Sequence, residues 1–287
     1  MLSSTIKNSI EQQLQVRINS SRICAGGSIN EAYLLETSSG TFFLKQNDSA
    51  IAANLLRAEV EGLRTLGGKS GIRVPDILLE GQVGHTAFLV LEFIPSGRKS
   101  SAFWEQFGYT LARLHRHTAE NFGFSSDNYI GALPQYNPAF ASWTDFYRTA
   151  RLRPQLDMAK QQNKLSFKDE NAFERLFAQW HNYFPAEAPA LTHGDLWSGN
   201  FLCNEAESVV LIDPAVSYAH REMDIAMTYL FGGFSAIFYE SYQAHFPLAP
   251  QFDERLALYQ LYYLMVHVNL FGGSYVQSVR RILKRYV

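Results

Sequence analysis

The 287-residue sequence is poor in cysteine, in net charge and in long apolar runs, and each shortage removes a class of protein. Its two cysteines, Cys24 and Cys203, stand in no CxxC or zinc-type spacing, so there is no disulfide framework and no zinc knuckle to build on. A reducing, cytoplasmic setting and a monomer are expected, with Cys24 as the one candidate for a redox-linked dimer. A formal net charge of -2 gives no field that would draw the molecule to nucleic acid or an anionic membrane. The only basic run, RRILKRYV at the end, is short enough to be a solvated helix terminus. The longest apolar run, LYYLMVHVNLFGG, is broken by His267 and Asn269 and reads as a core helix rather than a span. Ile6, Ile10 and Leu14 recur at helical spacing among polar neighbours, unlike the continuous apolar stretch of a signal peptide. No GxxxxGK[ST] run occurs, which excludes a Walker-type nucleotide loop.

What is present is a globular composition, 47% hydrophobic and 18% charged, in a chain long enough for one large or two modest domains. The first ninety or so residues read as strands: RICAGG leads into EAYLLET, Ser39-Gly40 makes a hairpin turn, and TFFLKQ returns. DILLEGQVG and TAFLVLEF form a second pair, and between the pairs a helix is predicted over Ala52 to Leu66, closed by Gly67-Gly68. After EFIPSG the period changes to that of helices in FWEQFGYTLARLH, NAFERLFAQWHNYF, DIAMTYLFGGF and RLALYQLYYLMVHVNLF, with SVVLID the one strand-like interruption. The expected organisation is a sheet-rich domain over residues 1–93, a short hinge near Glu92 to Ser96, and a helical domain over residues 94–287.

Three constellations carry chemistry. Gly26 and Gly27, with Ser28, sit in a turn between two strands where bare backbone can aim N–H groups at phosphate oxygens; an ordinary bulged hairpin would look the same. Lys45 follows in the next strand. On a helical wheel Ala52, Leu55, Leu56, Val60, Leu63 and Leu66 form an apolar stripe with Glu59 near its middle and Glu61 on the opposite side. A carboxylate in that stripe needs a cation beside it, because an unpaired buried charge costs several kcal/mol, and Lys45 is the nearest candidate. The third constellation is LTHGDLWSGNFL followed by the strand that ends in Asp213. Asn200 and Asp213 supply hard oxygen ligands suited to magnesium, while Asp195 is left to orient a hydroxyl nucleophile and accept its proton. Gly194 and Gly199 are expected to let this loop turn sharply. His193 is read as structural, its ring bonding backbone near Asp213, and His115 as a packed helix histidine.

With HGD in place of HRD, these residues resemble the protein-kinase-like fold and its aminoglycoside-phosphotransferase and choline-kinase branch. HGDLWSGN with its tryptophan, IDPAVSYAHREMDIAMTYLFGGF, and the linker FGFSSDNYIGALPQYNP through WTDFYRTARLRPQLDMA resemble, over nearly the whole chain, the fructosamine kinase (ketosamine-3-kinase) family. The resemblance implies an α+β, bilobal fold: a small antiparallel-sheet N-terminal lobe with one helix, and a larger, mainly helical C-terminal lobe. It implies ATP- and Mg2+-dependent phosphorylation of the 3-hydroxyl of a ketosamine, free or protein-bound, a repair of glycated amines. Carried over residue by residue, it makes Lys45 the phosphate-contacting lysine and Glu59 its partner, Asp195 the catalytic aspartate, and Asn200 and Asp213 the magnesium ligands. The backbone of Glu92, Phe93 and Ile94 would receive adenine. Several members carry cysteine where this chain has Ser28, so no thiol switch is implied at that turn. Trp197, two residues after Asp195, is expected to cover the sugar or approach its protonated amine, the alternative being that it packs into the helical lobe. A kinase of another amino alcohol or an aminoglycoside shares every catalytic residue, and a non-catalytic nucleotide-binding module is the remaining reading.

Overall fold

The structure is a computed structural model and describes residues 2–24 and 29–287. Gly26, Gly27 and Ser28, the expected phosphate-loop residues, lie outside the described residues. Two compact units form: Met1–Lys99 together with Leu202–Asp213, and Ser100–Phe201 together with Pro214–Val287. The first unit is therefore discontinuous in sequence, because the strand pair that ends in Asp213 belongs to it. Within that unit the Gly97 N–H donates to the Cys203 carbonyl at 2.7 Å and the Leu211 N–H to the Arg73 carbonyl at 2.9 Å.

The first unit begins with α1 (Ser4–Leu14), β1 (Ile18–Cys24), β2 (Glu31–Thr37), β3 (Gly40–Asn47), α2 (Ala52–Ser70), β4 (Ile77–Val83) and β5 (Thr86–Glu92). The strands make one antiparallel sheet in the order β1-β2-β3-β5-β4. Alternation along each strand sorts its residues. Tyr33, Leu35, Leu44, Phe88 and Val90 pack with Ile6 and Ile10, one helical turn apart on α1, and with Ile18. Lys45 is out of phase with Leu44 and so turns to the other face, the one α2 covers; this is why a strand lysine points inward here. α2 runs past Gly67-Gly68 to Ser70 and stops at Gly71, whose φ of +65° is the left-handed terminator. Gly67 is small for packing instead, since a Cβ there would meet Val74 Cγ2 at 3.0 Å.

The second unit opens with α3 (Ser101–Leu114), capped by the Ser100 hydroxyl accepting the Phe103 N–H. Its Phe103, Phe107, Leu111 and Leu114 are buried as the spacing predicts, and Gly108 lets the Phe238 carbonyl approach to where a Cβ would stand only 2.4 Å away. The segment expected as a long linker is folded: β6 (Asn128–Ile130), β7 (Leu133–Gln135), α4 (Trp143–Phe146), a π-helical turn Tyr147–Leu152, and α5 (Arg153–Gln161). Three-residue strands are too short to show a period, which is why the sequence pattern misses them. After α6 (Phe167–Gln179) comes β8 (Ala190–Thr192); β9 (Phe201–Cys203) and β10 (Val209–Leu211) are the strand pair that from Leu202 onward belongs to the first unit, and the second unit resumes with β11 (Ser217–Ala219), α7 (Glu222–Phe231), α8 (Ala236–His245), α9 (Phe252–Phe271) and α10 (Ser274–Tyr286). α9 contains the apolar run read as a core helix and is buried on nearly all sides. No described helix is long and apolar enough to cross a membrane.

Candidate active site

In the first unit, Lys45 and Glu59 are each only 8% exposed, and Lys45 Nζ donates to Glu59 Oε1 at 2.6 Å. Its second partner is Asp213 Oδ1. Asp213 follows β10 with a left-handed φ of +53°, and its side chain stays 42% exposed. Burial opposes the lysine's charge, but the carboxylates of Asp213 and Glu59 outweigh it and hold the ammonium above the ordinary lysine range. Burial pushes the Glu59 carboxyl up against the pull of Lys45. Two acids share one ammonium, so the lysine is firmly charged and has one enclosed carboxylate and one solvent-facing carboxylate as partners. Glu92 ends β5; its amide donates to the Asp76 carbonyl at 2.9 Å and its carboxylate is paired with Arg73. Phe93 is half-buried and Ile94 buried. Cys24, half-buried at the end of β1, and Cys203, buried, are free thiols.

In the second unit, β8 pairs with β11, setting Thr192 opposite Ser217 and delivering the chain into His193-Gly194-Asp195. Gly194 is required twice over: its φ is +85°, and a Cβ would fall 1.9 Å from the Ala215 carbonyl oxygen. Asp224, fully buried on α7, accepts the His193 N–H at 2.7 Å and the Gly194 N–H at 2.9 Å, and lies 3.2 Å from His115 Nε2. The Tyr242 hydroxyl meets His115 Nδ1 at 2.7 Å, and Arg221 donates to that hydroxyl at 3.1 Å. His115 is thus more than a packed helix histidine; its Nε2 proton reaches the carboxylate that holds the loop. Burial keeps the ring's pKa below the ordinary histidine value.

Asp195 is partly exposed and Asn200 fixes it: the Asn200 amide nitrogen donates to the Asp195 carbonyl at 2.9 Å and to its Oδ2 at 3.1 Å. The Asp195 N–H donates to His193 Nδ1 at 3.2 Å, so that nitrogen carries no proton and the fully buried ring acts as a loop brace. Gly199 stands in the expected turn, closed by the Asn200 N–H donating to the Trp197 carbonyl at 3.0 Å, and it also makes room for Trp197: the indole lies over it, and a Cβ would meet the ring at 2.3 Å. Trp197 is 39% exposed and edge-on to Phe231, with ring centroids 6.4 Å apart.

Sequence reasoning missed Asp224, although the argument that singled out Glu59 applies to it: a carboxylate among Met223, Ile225, Ala226 and Met227 must have buried donors. It also missed a buried amide network. Gln135 Nε2 donates to the Ala215 carbonyl at 3.0 Å and to Asn128 Oδ1 at 2.8 Å, while its oxygen accepts from Tyr262 at 2.8 Å. Ala215 in turn donates to the His193 carbonyl at 2.9 Å, so β7 helps to hold the Asp195 loop.

Comparison with known proteins agrees with this geometry. A family model described as fructosamine kinase matches residues 1–287. A protein of Enterococcus faecium named "Probable ketoamine kinase" is 38% identical over 263 residues, covering 91% of this chain and 93% of that protein. The chloroplastic protein-ribulosamine 3-kinase of Oryza sativa subsp. indica is 36% identical over 273 residues, covering 91% and 77% respectively. Among solved structures, a Thermobifida fusca protein assigned by its name to the fructosamine-3-kinases superposes with a TM-score of 0.86 at 32% identity, over 99% of this chain and 100% of that one. Spectinomycin phosphotransferase APH(9)-Ia, solved with ADP and spectinomycin, shares the fold at a TM-score of 0.59 and 16% identity, over 100% and 93% of the two chains. By its sequence over its whole length, and with the same kinase-like fold, the chain belongs to the fructosamine kinase family.

Proposed function

We propose that this chain transfers the γ-phosphoryl group of ATP to the 3-hydroxyl of a ketosamine, with fructosamines and ribulosamines, free or protein-bound, as the acceptor class. The relatives named for ketoamines and ribulosamines support the acceptor. The observation that carries the reading is Asp195, a partly exposed carboxylate held by Asn200 on a loop whose amides are fixed by Asp224. Such a carboxylate accepts the hydrogen bond of the attacking hydroxyl and aims its lone pair at phosphorus. The O3–P bond forms as the bond from phosphorus to the leaving ADP oxygen breaks, and the hydroxyl proton passes to Asp195. The transition state is loose, so the proton leaves late and an ordinary carboxylate suffices as base.

Lys45, aimed by Glu59, neutralises phosphate charge. The Glu92 amide is spent on Asp76, so the donor to adenine falls to Phe93 or Ile94. Among the described residues no group of three or more His, Cys, Asp or Glu could hold a metal ion unaided. That fits magnesium, which is bound through nucleotide phosphates and waters and takes only one or two protein oxygens. Asp213 and Asn200 would hold it, the Asn200 nitrogen being turned to Asp195 and its oxygen therefore directed elsewhere; the ion supplies charge neutralisation at the phosphates. Two free thiols suit a reducing cytoplasm, and the weak net charge suits a small-molecule or glycated-protein acceptor rather than nucleic acid or membrane.

The test is turnover with ATP and magnesium across a panel of ketosamines, their parent sugars, choline, homoserine and an aminoglycoside. Ketosamines are expected to be phosphorylated far better than the rest. Preference for any of the others would overturn the acceptor assignment, and no transfer at all would overturn the enzyme assignment. The lysine's role has its own check. Glu59→Gln should lower kcat/KM about ten-fold or more, because Lys45 loses the partner that aims it. Glu61→Gln, about 200° around α2 from Glu59, should stay within about two-fold, and equal losses in the two variants would contradict the pairing argument.

A further inference from the structure

α7 and α9 end alike, each with an exposed phenylalanine followed by a glycine of positive φ: Phe231, 41% exposed, before Gly232 at +71°, and Phe271, 60% exposed, before Gly272 at +67°. His267 stands among these rings, its centroid 4.9 Å from Phe231, 5.6 Å from Phe271 and 4.8 Å from Tyr275. Phe231 continues the strip to Trp197, two residues after Asp195. One end is already occupied by a cation, since Lys164 Nζ donates to the Asn269 carbonyl at 2.5 Å near the end of α9. The Trp197–Phe231–His267 end has no such neighbour among the described hydrogen bonds and ion pairs.

The imidazole's protonation state follows from its one bond. His267 Nδ1 lies 2.8 Å from the Tyr263 carbonyl oxygen; a carbonyl only accepts, so Nδ1 carries the proton. Burial pulls the ring's pKa below the ordinary histidine value, leaving it neutral at pH 7 with its other nitrogen, Nε2, an acceptor that has no partner among the described residues. A neutral acceptor set in aromatic faces beside a helix C-terminus, which carries partial negative charge, is an environment for an alkylammonium. One turn earlier on the same face of α9, the buried Tyr263 hydroxyl has no hydrogen-bond partner among the described residues, and burial, then the Asp224 and Asp195 carboxylates, raise its pKa. The strip thus leads from the carboxylate proposed to activate the hydroxyl to an acceptor suited to a cation. In a ketosamine the nitrogen is three bonds from the carbon that bears the accepting hydroxyl and is protonated at neutral pH, as alkyl amines are.

We infer that His267 Nε2, beside Phe231 and joined through that ring to Trp197, accepts the hydrogen bond of the substrate's protonated amine and is the group that separates ketosamines from sugars lacking nitrogen. This rests on the functional reading above and adds to it the residue that recognises the amine. The experiment compares two acceptors on the full chain, a 1-alkylamino-1-deoxyfructose and its 1-O-alkyl ether, which differ in the charged donor alone. Wild-type enzyme should show a KM at least about ten-fold lower for the amine, worth about 1.4 kcal/mol. His267→Phe, which keeps a ring and removes the acceptor, should raise KM for the amine about ten-fold while leaving kcat, KM for the ether and KM for ATP within about two-fold. His267→Gln, which restores an acceptor oxygen, should recover part of the preference. A wild-type enzyme indifferent to the nitrogen, or a His267→Phe variant in which amine and ether shift together or not at all, would overturn the subsite and leave the kinase reading intact. Failure to phosphorylate any ketosamine would overturn both. If the Phe variant does not fold, the His267→Gln variant carries the comparison: an amine-to-ether preference unchanged from wild type would overturn the role of His267, and a reduced one would support it.

Discussion

Asp195→Asn lowers kcat by about three orders of magnitude, within the span that proton-accepting groups supply, while KM for ATP stays within a few-fold. The substitution is close to isosteric. The asparagine oxygen can still accept from Asn200, and the main-chain bonds of the loop, from Asn200 to the 195 carbonyl and from the 195 amide to His193, do not involve the replaced atom. What disappears is the charge that orients the hydroxyl and takes its proton late in transfer, an interaction made in the transition state and not with bound nucleotide. Steady-state kinetics and a melting curve on the same preparation separate the two effects. A variant that keeps most of its turnover, or one that loses turnover only because it has unfolded, would contradict the role given to Asp195.

Asp224→Asn should be nearly as damaging without touching substrate. Its carboxylate satisfies two backbone N–H groups and faces the ring nitrogen of His115, all of them buried, and an amide offers one oxygen where two were used. The NH2 group would then face a donor, and leaving a buried group unsatisfied costs about 1–3 kcal/mol, more where the lost partner was charged. We expect a loss of kcat of about 100-fold, since small misplacement of a reacting group is costly, together with a clearly lowered melting temperature. KM for ATP should change little, because the loop that moves carries the hydroxyl's partner. Wild-type kcat in this variant would mean that the two amides are held well enough without it.

The chemistry visible in the sequence was of the kind that breaks a local pattern. Glu59 interrupts an apolar stripe, and a lysine lies one strand away; the ion pair follows from the cost of an unpaired buried charge, and the structure has it. The strand pairs and the amphipathic helices were legible because their periods run long enough to be counted. β6 and β7 were not, at three residues each, nor was the reason for Gln135, whose partners Ala215 and Tyr262 lie far along the chain. Glycine was the least reliable sign. Gly67-Gly68 looked like a helix stop and is interior to α2, whereas Gly199 stands in the turn expected of it and is also the floor under an indole. In both, what needs the missing Cβ is a side chain, invisible to a reading based on backbone freedom. Asp224 was legible in principle, by the rule that found Glu59.

The position of the phosphate on the product tests the central claim most directly. Wild-type enzyme is incubated with ATP, magnesium and a fructosamine, and the purified product is examined by phosphorus–proton correlation NMR. The account predicts a single phosphomonoester coupled to the proton on C3, with one ADP formed per product and no such signal from the Asp195→Asn variant over the same period. Phosphate on another carbon, or ATP hydrolysis without transfer to the sugar, would contradict it.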